Sequence, residues 1–304
     1  MTSELPKTMK AAVIDKAGPP EALHVTSVPV PHLTRDHVII ALDYASVGIW
    51  DANQRSGAWG PVKPGTILGA DASGTVVAAA ADVTRLRAGD RVYAYSFGNP
   101  HGGFYAEYAS VPADRVERVP DQLDQKVAGA MPCVALTAHS GLIALETKRG
   151  QTLLVFGATG GVGSLVVWLA AHAIGATVAG TARPDAQAYL RDLGGVPVSD
   201  DATTFDAMLA TASADFSAFA ARLKPNAPVG YPNGIEPAPK IDGHRSLGFD
   251  GSMEREAFEG LNAAIGARTI PLKVQEFSLD RVADAHRRIE QGHVEGKIVL
   301  RIRG

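Results

Sequence analysis

The stretch Leu154-Val155-Phe156-Gly157-Ala158-Thr159-Gly160-Gly161-Val162-Gly163 decides how the chain is read. With Thr152 and Leu153 ahead of it, Leu154 to Phe156 makes a short apolar run that stops at glycine, the pattern of a strand buried on both faces. The glycines then permit a sharp turn and close backbone approach, and from Ser164 the residues continue as an apolar helix. A helix entered this way turns unpaired N–H groups and its positive dipole end toward an anion. Gly160 and Gly163 hold the second and third places of a G-x-G-x-x-G spacing, and Ala158 stands in the first. Set between a strand and a helix, this spacing reads as the pyrophosphate-binding turn of a dinucleotide site.

Outward from the turn the alternation continues. Residues 177–181 read as a second strand, and residues 184–193 as a helix closing at Gly194-Gly195. Residues 205–212 and 227–231 read as later strands; upstream, residues 125–131 and 137–146 read as helices. Strand, helix, strand, helix implies a parallel sheet with right-handed crossovers. No full charge occurs between Arg149 and Arg183, a length that would cross a bilayer. Gly157, Gly160, Gly161, Gly163, Gly175 and Gly180 cut that segment, which suits strands and turns and not a membrane helix. In NAD sites a carboxylate stands about 20 residues beyond the turn. Here that zone is Thr181-Ala182-Arg183, without an acid. Arg183 is a partner for a 2′-phosphate, favouring NADP(H) over NAD, unless it is a solvated residue at a helix entry. Only Ser199 to Thr204 separate Val198 from Phe205, too few for a full crossover helix, so one flank of this unit is expected to be trimmed.

The first third has another texture. Residues 9–14, 37–42, 74–77 and 90–94 are short β-prone runs, and Pro29, Pro31, Pro61 and Pro64 interrupt any long helix. They point to an irregular antiparallel barrel. At the far end, residues 279–290 form an amphipathic helical pattern and residues 296–302 a last strand. Twenty-nine basic and 32 acidic residues give a net charge of −3 with no basic stripe, arguing against nucleic acid or an anionic membrane as partner. The single cysteine, Cys133, excludes an internal disulfide and a zinc site needing two thiolates. No basic-then-apolar leader opens the sequence, so a cytoplasmic location is expected.

Several further motifs carry a family resemblance. They are Ala45-Ser46-Val47 through Asp51, Arg55-Ser56-Gly57, residues 68–76, Ala88 to Tyr93, Gly103 to Tyr108, Leu136-Thr137-Ala138, Ala285-His286, and Gly296-Lys297-Ile298-Val299-Leu300. In this order, over residues 9–302, the sequence resembles the medium-chain dehydrogenase/reductase superfamily, and within it the zinc-independent quinone oxidoreductase (zeta-crystallin-like) branch. The resemblance implies an α/β protein: a GroES-like β-barrel catalytic domain (1–121 and 272–304) plus a Rossmann doubly wound parallel-sheet domain (122–271). It implies hydride transfer from NADPH to a quinone or α,β-unsaturated carbonyl without metal, and a homodimer. Enoyl-thioester reduction and a weakly catalytic NADPH-binding redox sensor are the alternatives.

Zinc-dependent relatives place a Cys near Gly48 and a Gly-His-Glu where this chain has Gly69-Ala70-Asp71, so no metal ligand is assigned. On the acceptor side the resemblance points to Asn53 and Trp59, where relatives carry tyrosines, with Trp50, Tyr95 and Phe97 as further pocket candidates or else plain core residues. On the cofactor side it points to Thr137, to Ala158, Thr159, Gly160, Gly161, Val162 and Gly163, to Thr181 and Arg183, to Tyr231 and Asn233, and to Lys297. Lys297 is otherwise a strand-end surface lysine.

Overall fold

The computed structural model describes residues 5–99, 101–199 and 203–303. The chain divides into two compact units: residues 1–133, 253–259 and 274–304, and residues 134–252 with 260–273.

The first unit is a β-structure in two sheets. Strand Thr8–Ile14 pairs antiparallel with Leu23–Pro29 and Thr66–Ile67. The larger sheet runs Val274–Ser278, Lys297–Arg301, His37–Val47, Asp71–Ala79, Arg91–Tyr95, Val116–Arg118, with Tyr108–Pro112 also on His37–Val47. Every pairing in it is antiparallel except Val274–Ser278 with Lys297–Arg301. The C-terminal strand therefore sits inside the N-terminal barrel, against His37–Val47. Val38, Ile40, Leu42, Val76, Val92, Ile298 and Leu300 fill the barrel. Each such aliphatic side chain contributes about 1.5–3 kcal/mol by leaving water. Shifts of register at Ile39/Ile40 and Leu42/Tyr44 bend the long strand, as closure of a small barrel requires.

The second unit is one six-stranded sheet, parallel throughout: Val196–Pro197, Thr177–Gly180, Thr152–Phe156, Ala207–Ala210, Val229–Pro232, Ser246–Phe249. In chain order these strands stand 3-2-1-4-5-6, the dinucleotide-binding arrangement, whose crevice opens where the order reverses. Leu153, Leu154 and Val155 are fully buried, which explains the uncharged run. Strand Ser246–Phe249 and helix Arg255–Ile265 were not legible in the sequence. The helix expected from Ser164 begins three residues earlier, at Gly161, and passes at Leu169–Ile174 into a π-turn. Thr137 lies within helix Pro132–Ala144, not at a helix start. No described residue between Pro197 and Ala207 is helical, while Asp200, Asp201 and Ala202 of the shortened connection lie outside the described residues. Among the described residues no helix is long and apolar enough to cross a membrane.

Candidate active site

The glycine turn joins the C-terminal end of Thr152–Phe156 to helix Gly161–Trp168. Gly157 has φ +77°, a conformation that glycine adopts without strain. A Cβ on Gly163 would stand 2.1 Å from the Gly157 carbonyl oxygen, so only glycine lets the helix close on the turn. Ala158, in the first glycine place, is fully buried, and a Cβ on Gly180 would meet its methyl at 2.5 Å. The second strand thus supplies a glycine to accommodate the alanine of the first loop.

Side chains from neighbouring strand ends hold the turn. Gly157 N–H donates to Thr181 Oγ1 (2.9 Å), and Ala158 N–H to Thr181 O (3.3 Å). The Thr211 hydroxyl donates to Phe156 O (2.9 Å) and Gly157 O (3.1 Å). Gly160 caps the helix with no side-chain hydrogen bond, and the first bond to it is Ser164 N–H to Gly160 O at 2.9 Å. The amides of Gly161, Val162 and Gly163 therefore have no partner within the helix and are free to receive an oxyanion. These residues fit a dinucleotide pyrophosphate: a tight turn, no side chain in the way, and donors at a helix start.

The other strand ends add the remaining candidates. Arg183, 47% exposed, follows strand Thr177–Gly180 and lies 3.4 Å from Asp185. Tyr231, within strand Val229–Pro232, and Asn233, just after it, crowd Gly248, whose Cβ would meet Asn233 Oδ1 at 2.4 Å and Tyr231 OH at 3.3 Å. Asn233 Nδ2 donates to Asp250 Oδ2 at 2.7 Å. Thr137 is packed beneath Gly251, where a Cβ would meet its Oγ1 at 2.7 Å. Ala158, Thr159, Gly160, Gly161, Val162, Gly163, Thr181, Arg183 and Asn233 lie just beyond the carboxyl ends of parallel strands, and Tyr231 within the last two residues of one, where open sheets bind ligands.

Lys297, Trp50, Tyr95, Asn53 and Trp59 belong to the first unit. Lys297 is not a surface lysine: it is 5% exposed, its Nζ 3.4 Å from Val47 O and 4.7 Å from the centre of the Trp50 ring. Two buried carboxylates share its surroundings. Asp51 accepts N–H bonds from Gly48 (2.8 Å) and Gly69 (3.2 Å), and Tyr105 bonds to it as well. Burial pushes Asp51 up to about 7, opposed by these bonds and by Lys297. Burial likewise pushes Asp71 up to about 6, opposed first by Lys297 and then by the Cys133 N–H at 3.1 Å. Tyr95 pairs across the sheet with Asp71, and its hydroxyl bonds to the Cys133 thiol. Behind Asp51, His286 Nε2 is 3.3 Å from Tyr105 OH, and burial drives that imidazole down to about 3, so it is neutral.

Zinc does not fit this constellation. Where zinc relatives carry a thiolate, a Cβ on Gly48 would stand 2.1 Å from the Trp50 indole, and Ala70 offers no ligand atom. Among the described residues no three His, Cys, Asp or Glu are grouped to hold a metal ion. Catalytic zinc needs three protein ligands and an open position.

Two adjoining cavities of about 510 and 360 Å³ open in the first unit and share Gln54, Lys63, Thr66 and Phe97. Trp59 lines the smaller one, and Asp51, at 1% exposure, the larger. The residue of helix Ile49–Ser56 that faces both is Gln54; Asn53 is not among the lining residues of either. Sequence reading missed Gln54, on a helix of only eight residues, and the loop residues Lys63 and Asn99, because side chains without a motif give no signal of where they point.

A barrel unit carrying an inserted C-terminal strand, together with a 3-2-1-4-5-6 parallel-sheet unit, defines a GroES-like and Rossmann-fold protein. Residues 34–121 match the family described as Alcohol dehydrogenase GroES-like domain, and residues 200–300 the family described as Zinc-binding dehydrogenase. The chain is 34% identical over 203 residues to the NADPH-dependent alkenal/one oxidoreductase of Arabidopsis thaliana, covering 63% of this chain and 52% of that protein. It is 29% identical over 319 residues to the 2-methylene-furan-3-one reductase of Solanum lycopersicum, covering 97% of this chain and 80% of that protein. Among solved structures, the quinone oxidoreductase from Coxiella burnetii superimposes with a TM-score of 0.84 at 27% identity, over 98% of this chain and all of that one. The chain belongs to the medium-chain dehydrogenase/reductase superfamily. That bears out the resemblance read from its motifs. The superfamily is pyridine-nucleotide dependent, and small molecules are its substrates.

Proposed function

We propose that the chain is an NADPH-dependent oxidoreductase that reduces a quinone or an α,β-unsaturated carbonyl without a metal. The observation that carries this reading is the uncapped helix start at Gly161, Val162 and Gly163 beyond the sheet's central strand. The printed names of the relatives, an alkenal/one oxidoreductase, a furanone reductase and a quinone oxidoreductase, supply the acceptor class. A reduced nicotinamide bound there supplies hydride, and the acceptor gains that hydride and a proton from water.

The chain's own residues bind and orient. The amides of Gly161, Val162 and Gly163 take the pyrophosphate, with Ala158, Thr159 and Gly160 forming the turn and Thr181 fixing it. Arg183 takes the 2′-phosphate, since residues 181–183 hold no carboxylate for a ribose hydroxyl and the acid that follows, Asp185, pairs with Arg183 itself. Thr137, Tyr231 and Asn233 serve the nicotinamide end, and Trp50, Tyr95 and Trp59 the acceptor side. Lys297, held over Trp50, supplies a buried positive charge in place of a metal's. A cytoplasmic homodimer completes the reading.

The test is to follow NADPH absorbance with 1,4-benzoquinone, 9,10-phenanthrenequinone, an alkenal and crotonyl thioester. Turnover with the quinones or the alkenal supports the reading. NADPH binding without turnover on any acceptor overturns it in favour of a sensor.

A further inference from the structure

The two cavities of the first unit have an uneven lining. Trp59 and Phe97, respectively 57% and 38% exposed, meet edge to face with ring centres 5.9 Å apart. Large exposed aromatics paired at a cavity mouth offer flat apolar surface at low entropic cost. Both cavities are also lined by Lys63, whose side chain is exposed and makes no hydrogen bond or ion pair among the described residues. The remaining polar lining is neutral or basic, Gln54, Thr66, Asn99 and His101, apart from Asp51. Asp51 is buried and committed to the amides of Gly48 and Gly69. Asp15 is not among the lining residues; its Oδ1 accepts the N–H of Gly65, in the same turn as Lys63, at 2.9 Å. The turn itself is rigid: Lys63 O accepts from Thr66 N–H at 3.2 Å and from the Thr66 hydroxyl at 2.7 Å.

We propose that this trough selects a planar aromatic acceptor that carries an acidic substituent, the ring resting against Trp59 and Phe97 and the anion paired with Lys63. The inference rests on the acceptor class proposed above and narrows it. An uncompensated cation beside an apolar aromatic wall matches a flat anion better than a neutral alkenal. Lys63 and Trp59 are exposed, so replacing them leaves the fold intact.

The experiment compares NADPH-dependent reduction of 1,4-naphthoquinone-2-sulfonate with that of neutral 2-methyl-1,4-naphthoquinone, in wild type, Lys63→Met, Lys63→Glu and Trp59→Ala. An exposed ion pair is worth up to about 1 kcal/mol, so Lys63→Met should lower kcat/KM for the sulfonate about fivefold through KM alone. The neutral quinone should be unchanged, Lys63→Glu should deepen the loss, and 0.5 M salt should erase the wild-type preference. Trp59→Ala should raise KM for both. Turnover of both quinones with no change in their ratio on altering Lys63 overturns this inference while leaving the proposed function standing. No turnover of either quinone by a wild type that reduces an alkenal also overturns this inference and leaves the proposed function standing, whereas no turnover of any acceptor overturns both.

Discussion

The Lys297 ammonium stands 4.7 Å over the Trp50 ring, where the indole fills the space that a side chain at Gly48 would need. Without a Cβ at position 48 there is no thiolate, and the tryptophan that takes its room carries a cation on its face. That cation lowers the cost of keeping Asp71 and Asp51 charged out of water. A buried pair of acids with no compensating charge would be protonated or disruptive.

Lys297→Met is therefore expected to raise the apparent pKa of Asp71 further and to destabilise the barrel by about 2–4 kcal/mol, since it leaves buried carboxylates uncompensated. Urea denaturation of the purified variant measures it. Lys297→Arg should recover part of the loss. In the same preparations, elemental analysis should find no stoichiometric zinc, and chelators should leave activity unchanged.

Gly163→Ala places a methyl 2.1 Å from the Gly157 carbonyl oxygen, an approach no relaxation of a flexible tip can relieve. The turn must open, pulling the helix amides off the pyrophosphate. NADPH affinity should fall at least tenfold, about 1.4 kcal/mol, with a smaller loss of thermal stability. Ala158→Gly, by contrast, restores the usual residue of the spacing and should bind NADPH within a few-fold of wild type. Fluorescence titration distinguishes the two.

Arg183→Ala should weaken NADPH binding about tenfold, the worth of one charge-assisted contact, and leave NADH binding unchanged. Its ion pair to Asp185 is exposed and contributes little to stability. Equal affinity of the wild type for the two nucleotides would contradict the assignment.

The buried imidazole of His286 gives a pH signature. Burial lowers its pKa from 6.5 to about 3 in the folded chain. The unfolded chain therefore binds a proton first, and folding loses stability as pH falls from about 6.5 toward 3. The slope is about 1.4 kcal/mol per pH unit from this group. His286→Gln removes that dependence, so the stability gap between wild type and variant should shrink as pH falls from 6.5 to 4. A constant gap in denaturation curves across that range would refute it.

How much of this was legible in advance follows from where each signal resides. The glycine turn is local: strand, spacing and helix lie within twenty residues, and the parallel sheet follows from alternation and handedness. Strand Ser246–Phe249 was invisible because its four residues include Ser246 and Gly248, and three of the four are not buried. Lys297 read as a strand-end surface residue or a cofactor contact. Its burial depends on Trp50, nearly 250 positions away, and no periodicity reports such a pairing. The trough residues Gln54, on a short helix, and Lys63, on a loop, were missed for the same reason, since tertiary packing decides that both face one cavity.

Isothermal titration of the intact chain with NADPH is the most direct check on the dinucleotide turn. Micromolar binding in wild type, lost in Gly163→Ala and weaker for NADH, is the expected result. No heat and no thermal stabilisation with either nucleotide would contradict the reading of the turn, and the function proposed from it.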